Sequence, residues 1–164
     1  MPTVKEVLND TKKRLKEQGI DTYSLDSSLL VSEVTGLTKI QLVTHDRDEE
    51  QINRLENLVK ERLKNKPMQY ILGHCEFMGL DFKVTENTLI PRGDTENIVE
   101  EVIATIENSG YNTVLDMCTG TGAIAISVAH YTKAKVTASD ISSKALEVAR
   151  ENAKILNADV NFIE

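Results

Sequence analysis

Asp116-Met117-Cys118-Thr119-Gly120-Thr121-Gly122 places a carboxylate, a thiol, two hydroxyls and two glycines within one short turn. Gly120 and Gly122 permit a tight bend and let a ligand come close to the backbone. The free N–H groups that open the following helix attract negatively charged ligand atoms. Asp140 stands 18 residues beyond Gly122. A carboxylate at the end of a second strand accepts hydrogen bonds from both hydroxyls of an adenosine ribose. For the loop alone, an ordinary strand-to-helix turn is an equal reading. With Asp116 before it and Asp140 after it, each at a strand end, a nucleoside-containing cofactor becomes the stronger one.

The elements that must position these groups are legible around them. Thr113–Met117 is an apolar strand, Gly122–His130 a helix rich in Ala and Ile, and Ala134–Ser139 a second strand. Ser142 caps a helix with the stripe Leu146, Ala149, Ala153 and Leu156, and Asp159–Ile163 forms a third strand. This β-α-β-α-β order predicts parallel strands with right-handed crossovers, the first half of a doubly wound α/β sheet. Upstream, Glu76–Val84 alternates about Gly79 as a hairpin. A loop over Thr88–Glu96 then leads into a helix with Ile98, Val99, Val102, Ile103 and Ile106 on its buried face, ending near Gly110.

The first region reads as helices. Thr3 with Glu6 forms a capping box, and Val4, Val7, Leu8, Thr11 and Leu15 keep helical spacing up to Gly19. Further helices are predicted over Ser24–Thr35, over Thr38–Val43, and from Asp48 with Ile52, Leu55, Leu58, Val59 and Leu63 on one face. Short amphipathic helices bury their stripes against each other, so a small bundle follows. The expected organisation is a helical domain over 1–66, a linker with the hairpin over 67–88, and a partial cofactor-binding domain over 89–164.

Composition excludes several classes. With 164 residues, 40% of them hydrophobic and 27% charged, the chain is one ordinary globular domain or two small ones. No run approaches a membrane span, and the charged N-terminus lacks the apolar core of a secretory signal. Two cysteines, Cys75 and Cys118, suit reduced thiols, so a cytoplasmic setting is expected. The net charge of −7 lies wholly in residues 73–164, which carry 7 basic against 14 acidic side chains, whereas residues 1–72 carry 12 of each. That balance argues against nucleic-acid binding, whose affinity rests on Lys and Arg. His45-Asp46 and the run Asp46–Glu50 read as solvated surface. His74-Cys75 has no third partner for nucleophilic catalysis and reads as structural. No metal-ligand spacing is present.

A nicotinamide dinucleotide site usually shows Gly-x-Gly-x-x-Gly, and here Ala123, Ile124 and Ala125 follow Gly122. The loop instead resembles the acidic-x-Gly-x-Gly-x-Gly motif of S-adenosylmethionine-dependent methyltransferases, with Cys118 at the first glycine position. Pro67-Met68-Gln69-Tyr70-Ile71-Leu72-Gly73, Phe77, and Leu89-Ile90-Pro91-Arg92 through Thr95-Glu96 resemble the protein-glutamine methyltransferases of the HemK/PrmC type. The resemblance implies methyl transfer from S-adenosylmethionine to the Gln side-chain amide of class 1 peptide chain release factors. The Thr95-Glu96 pair favours the release-factor branch over the ribosomal-protein branch. Gly93-Asp94 departs from the usual Pro followed by Glu or Asp. The same resemblance implies that Asp140 holds the ribose and Cys118, Thr119, Gly120, Thr121 and Gly122 wrap the methionine end. Asp116 would then support the loop, with Arg92, Thr95 and Glu96 near the cofactor or, for Arg92 and Glu96, in a plain helix-start ion pair.

In that family an Asn-Pro-Pro-Tyr segment holds the reacting amide, and no Asn-Pro step occurs here. The expectation is therefore the N-terminal part of such an enzyme, with no catalytic residue of its own and no turnover alone. Thr113–Met117 would be an open apolar edge that favours self-association. Two other readings stay open: a non-catalytic binding module, and methylation of another amide or an adenine base.

Overall fold

The structure is a computed structural model that describes residues 3–37 and 49–164. It divides into two compact units, Met1–Leu72 and Gly73–Glu164. The expected helix over 38–43 and the pair His45-Asp46 lie outside the described residues. Among the described residues, no helix is long and apolar enough to cross a membrane.

In the first unit, α1 (Val4–Glu17) begins at the capping box: the Glu6 N–H donates to the Thr3 hydroxyl, and the Thr3 N–H donates to the Glu6 carboxylate at 2.7 Å. Two orphan donors of the first turn are thereby satisfied within the helix itself. Helix α2 (Tyr23–Thr35) and α3 (Glu49–Leu63) complete a core around Leu15, Leu30, Val31, Leu55 and Val59, all fully buried. Each such leucine stabilises by roughly 1.5–3 kcal/mol through its lost water contact. A short α4 (Met68–Leu72) follows Pro67, and the Ile71 N–H bonds back to the Pro67 carbonyl at 3.2 Å. The sequence alone predicts a linker here, because five residues are too few to show a period. Met68 and Ile71 pack against the same core.

In the second unit, β1 (His74–Phe77) and β2 (Leu80–Lys83) form an antiparallel hairpin with Phe77 opposite Leu80. Its two-residue turn holds Met78 at φ 53° and Gly79 at φ 70°, the left-handed pair that matches strand twist. A methionine is costly there, and its peptide is clamped on both sides. The Met78 N–H donates to the Glu96 carboxylate at 2.8 Å, and the Tyr131 hydroxyl donates to the Met78 carbonyl at 2.6 Å. Phe77 and Phe82 meet edge-to-face, 6.1 Å between ring centres, and sink into a core shared with α5 (Glu96–Ser109) and α6 (Ala123–Tyr131).

Strands β3 (Thr113–Met117), β4 (Lys135–Ser139) and β5 (Val160–Ile163) form a parallel sheet in that order, with Asp116 beside Ala138 and Ala138 beside Phe162. Helix α7 (Ser143–Ile155) connects β4 to β5 and is capped by the Ser142 hydroxyl, which accepts from the Ala145 N–H. The α/β class and the strand–helix alternation are as the sequence predicts. Strand β3 is an edge, and Leu115 and Met117 on it are exposed.

Candidate functional site

The glycine-bearing turn leaves the end of β3 and continues the ladder for one more bond, from the Thr119 N–H to the Ser139 carbonyl at 2.9 Å. Buried Asp116 holds the turn from below, accepting the Thr119 hydroxyl at 2.6 Å. Burial pushes the Asp116 carboxyl above its ordinary value, while hydrogen bonds from the Thr119 side chain and the Ala125 backbone work against that shift. Gly122, at φ 81°, is the N-cap of α6, and its carbonyl accepts the Ile126 N–H at 2.8 Å.

Asp140, just past β4, closes the turn from the other side. One carboxylate oxygen accepts the Gly120 N–H at 2.9 Å and the other accepts the Ser142 N–H at 2.9 Å. Each oxygen has lone-pair capacity beyond its one backbone donor. The carboxylate therefore fixes the loop and still has acceptor sites for ligand hydroxyls.

Together these elements wall a cavity of about 440 Å³, within the usual range for small-molecule sites. Its lining includes Cys118, Thr119, Gly120, Thr121 and Asp140 from the strand ends, Arg92 and Thr95 from the preceding loop, and Phe77 from the hairpin. A side chain at Gly120 would meet nothing within 4 Å, so the backbone there borders open space a ligand atom can enter. Asp116, Gly122 and Glu96 are not among the lining residues. The first two hold the turn, and the Glu96 carboxylate anchors the hairpin through Met78.

Cys118 adopts φ 62°, the left-handed conformation that its place in the motif normally gives to glycine. A residue with a Cβ held there costs roughly 1–2 kcal/mol, which the surrounding bonds offset. Its neighbour in composition, Cys75, is a poor nucleophile: burial and the carboxylates of Asp81, Glu76 and Glu96 push its thiol up. His74 is tied to Asp81 at 2.8 Å. Among the described residues, no group of three or more His, Cys, Asp or Glu side chains could hold a metal.

A buried polar side chain near the turn belongs to none of the sequence motifs. Asn152 on α7 is fully buried and bonds to the hairpin and to the glycine turn. Its only sequence signal is an asparagine inside the apolar stripe between Ala149 and Ala153.

Comparison with known proteins matches residues 6–73 to the PrmC N-terminal domain and residues 114–164 to a methyltransferase domain. The chain is 41% identical over 160 residues to the release factor glutamine methyltransferase of Clostridium acetobutylicum, covering 95% of this chain and 56% of that protein. It is 42% identical over 166 residues to that of Fusobacterium nucleatum, covering 97% of this chain and 47% of that protein. The chain thus spans about half the length of the curated relatives it matches. Among solved structures, a Pyrococcus abyssi tRNA (uracil-54, C5)-methyltransferase aligns with 55% of this chain and 22% of its own length at 26% identity and a TM-score of 0.47.

Proposed function

We propose that the chain is part of a release factor glutamine methyltransferase and that it binds S-adenosylmethionine in the cavity at the ends of β3 and β4. The whole protein's reaction is then methylation of the Gln side-chain amide of class 1 peptide chain release factors. The observation that carries this reading is that Asp140 and the open backbone at Gly120 stand side by side on the wall of one cavity.

The residues present fit the group. Asp140 has acceptor capacity for the ribose hydroxyls, and Cys118, Thr119, Gly120 and Thr121 line the space for the methionine end, with Asp116 and Gly122 holding that turn. Arg92 and Thr95 border the same cavity. When bound, the sulfonium cofactor supplies an electrophilic methyl group. What this chain contributes is orientation: a turn already ordered by side-chain and backbone bonds needs little rearrangement to bind.

We assign the helical unit to docking of the release factor, a protein surface with no direct nucleic-acid or membrane role. The 164 residues contain no Asn-Pro step, so cofactor binding without turnover is the expected behaviour of this chain alone. The exposed Leu115 and Met117 on edge strand β3 support self-association at micromolar concentration. Sedimentation that shows only monomer at such concentrations would reject that assignment.

The cofactor reading is tested by titration with S-adenosylmethionine and, separately, NADH. A charge-assisted hydrogen bond is worth about 1.5–3 kcal/mol. Asp140→Ala is therefore expected to weaken S-adenosylmethionine binding by about tenfold to a hundredfold. Tighter binding of NADH, or an unchanged affinity in Asp140→Ala, would contradict the reading.

A further inference from the structure

We propose that Asn152 is a positioning residue for the cavity, holding two of its walls in register through one side-chain amide. Its Oδ1 accepts the Lys83 N–H at 2.8 Å, while its Nδ2 donates to the Lys83 carbonyl at 3.0 Å and to the Thr121 carbonyl at 2.9 Å. Lys83 ends β2 opposite His74, and its own N–H and C=O turn to the Asn152 amide. The side chain therefore stands where a further strand would pair. Thr121 is the cavity residue immediately before Gly122, and Phe77 on the same hairpin lines the cavity too.

Both amide donors and one acceptor site are committed, which fixes the orientation of the amide. A flipped amide would set an N–H against the Lys83 N–H and an oxygen against two carbonyls. Only an amide of this length supplies a donor pair and an acceptor here. Aspartate keeps the acceptor and loses both donors, and serine is too short to span the three groups. The Thr119 and Gly120 parts of the turn are held separately, by Asp116 and Asp140. Asn152 joins the Thr121 carbonyl to the hairpin.

This deepens the cofactor reading of the cavity and rests on it for its ligand. The experiment pairs amide hydrogen exchange, which needs no ligand, with calorimetric titration by S-adenosylhomocysteine. Both are run on the 164-residue chain and on Asn152→Asp and Asn152→Ser. The expected result is at least tenfold faster exchange in residues 80–85 and 117–123, unchanged protection in α5 and β4, and at least tenfold weaker binding. Asn152→Ser guards against Asn152→Asp failing to fold because of its buried charge. Unchanged exchange and affinity in both variants, loss of protection spread evenly over the unit, or collapse of both would overturn the proposal, since the residue would then be inert or simply core. If the unsubstituted chain does not bind S-adenosylhomocysteine, the cofactor reading fails. The exchange pattern then decides the positioning role by itself.

Discussion

Gly122→Ala is expected to destabilise the second unit by about 2–5 kcal/mol, read by urea unfolding with exchange protection in α6 and α7 as the local probe. Two independent costs combine. Gly122 sits at φ 81°, where a side chain costs roughly 1–2 kcal/mol. Its added Cβ would also lie 2.7 Å from the Ile126 Cδ1 and 3.2 Å from the Ala149 Cβ. Ile126 is fully buried, so its methyl must shift within the core, and the Ala149 methyl moves only with the α7 backbone. Overpacking of that kind costs about 1–3 kcal/mol.

The comparison with Gly120→Ala separates the two costs. Gly120 is also left-handed, at φ 58°, but an added Cβ there meets nothing within 4 Å. Only the conformational cost of roughly 1–2 kcal/mol remains, and its main consequence is a narrowed cavity. Adding Ile126→Val to Gly122→Ala removes the closest clashing methyl and is expected to restore about 1 kcal/mol of the loss. Equal destabilisation by the two alanines would show that packing of α6 against α7 is not what requires glycine at 122.

How much of this was legible beforehand follows from the range of the interactions. Local signals were readable: the Thr3–Glu6 capping box, the Ser142 cap, the alternation of strands and helices, and the two glycines between Asp116 and Asp140 all act within a few residues or one crossover. Long-range bonds were not. Lys83 and Asn152 are 69 positions apart, and Tyr131 and Met78 are 53 apart. No period or motif connects such residues, because the topology alone brings them together. The role of Glu96 shows the same limit. Its type and position marked it as a possible ligand-side group, whereas its carboxylate holds the hairpin turn. The left-handed Cys118 lies between these cases: the motif identified a glycine position, and the structure shows why glycine is the usual occupant.

The first unit offers a comparably large effect through a different mechanism. Arg62→Ala is expected to cost about 3–5 kcal/mol, because it leaves the Asp26 carboxylate buried without its cation. The Asp26 side chain is 4% exposed, and Arg62 reaches it from α3 with its Nε 2.8 Å from Oδ2. The Thr22 hydroxyl donates to the same oxygen at 2.8 Å, and a guanidinium nitrogen of Arg62 donates to the Lys66 carbonyl at 3.2 Å. Removing the arginine therefore strands a buried charge. A unit of this size has a total stability of roughly 4–11 kcal/mol, so the loss would take it close to unfolding. Exchange protection over α2 and α3 is the measurement, since it reports on this unit without the other. The double variant Asp26→Leu/Arg62→Met discriminates between the pair as a source of stability and the stranded charge as the source of the penalty. Replacing both partners with apolar groups of similar volume is expected to return stability to within about 1 kcal/mol of the starting chain, or above it. If the double variant instead remains as weak as Arg62→Ala, the ion pair contributes net stability of its own, and α2 and α3 depend on it as well as on their apolar core.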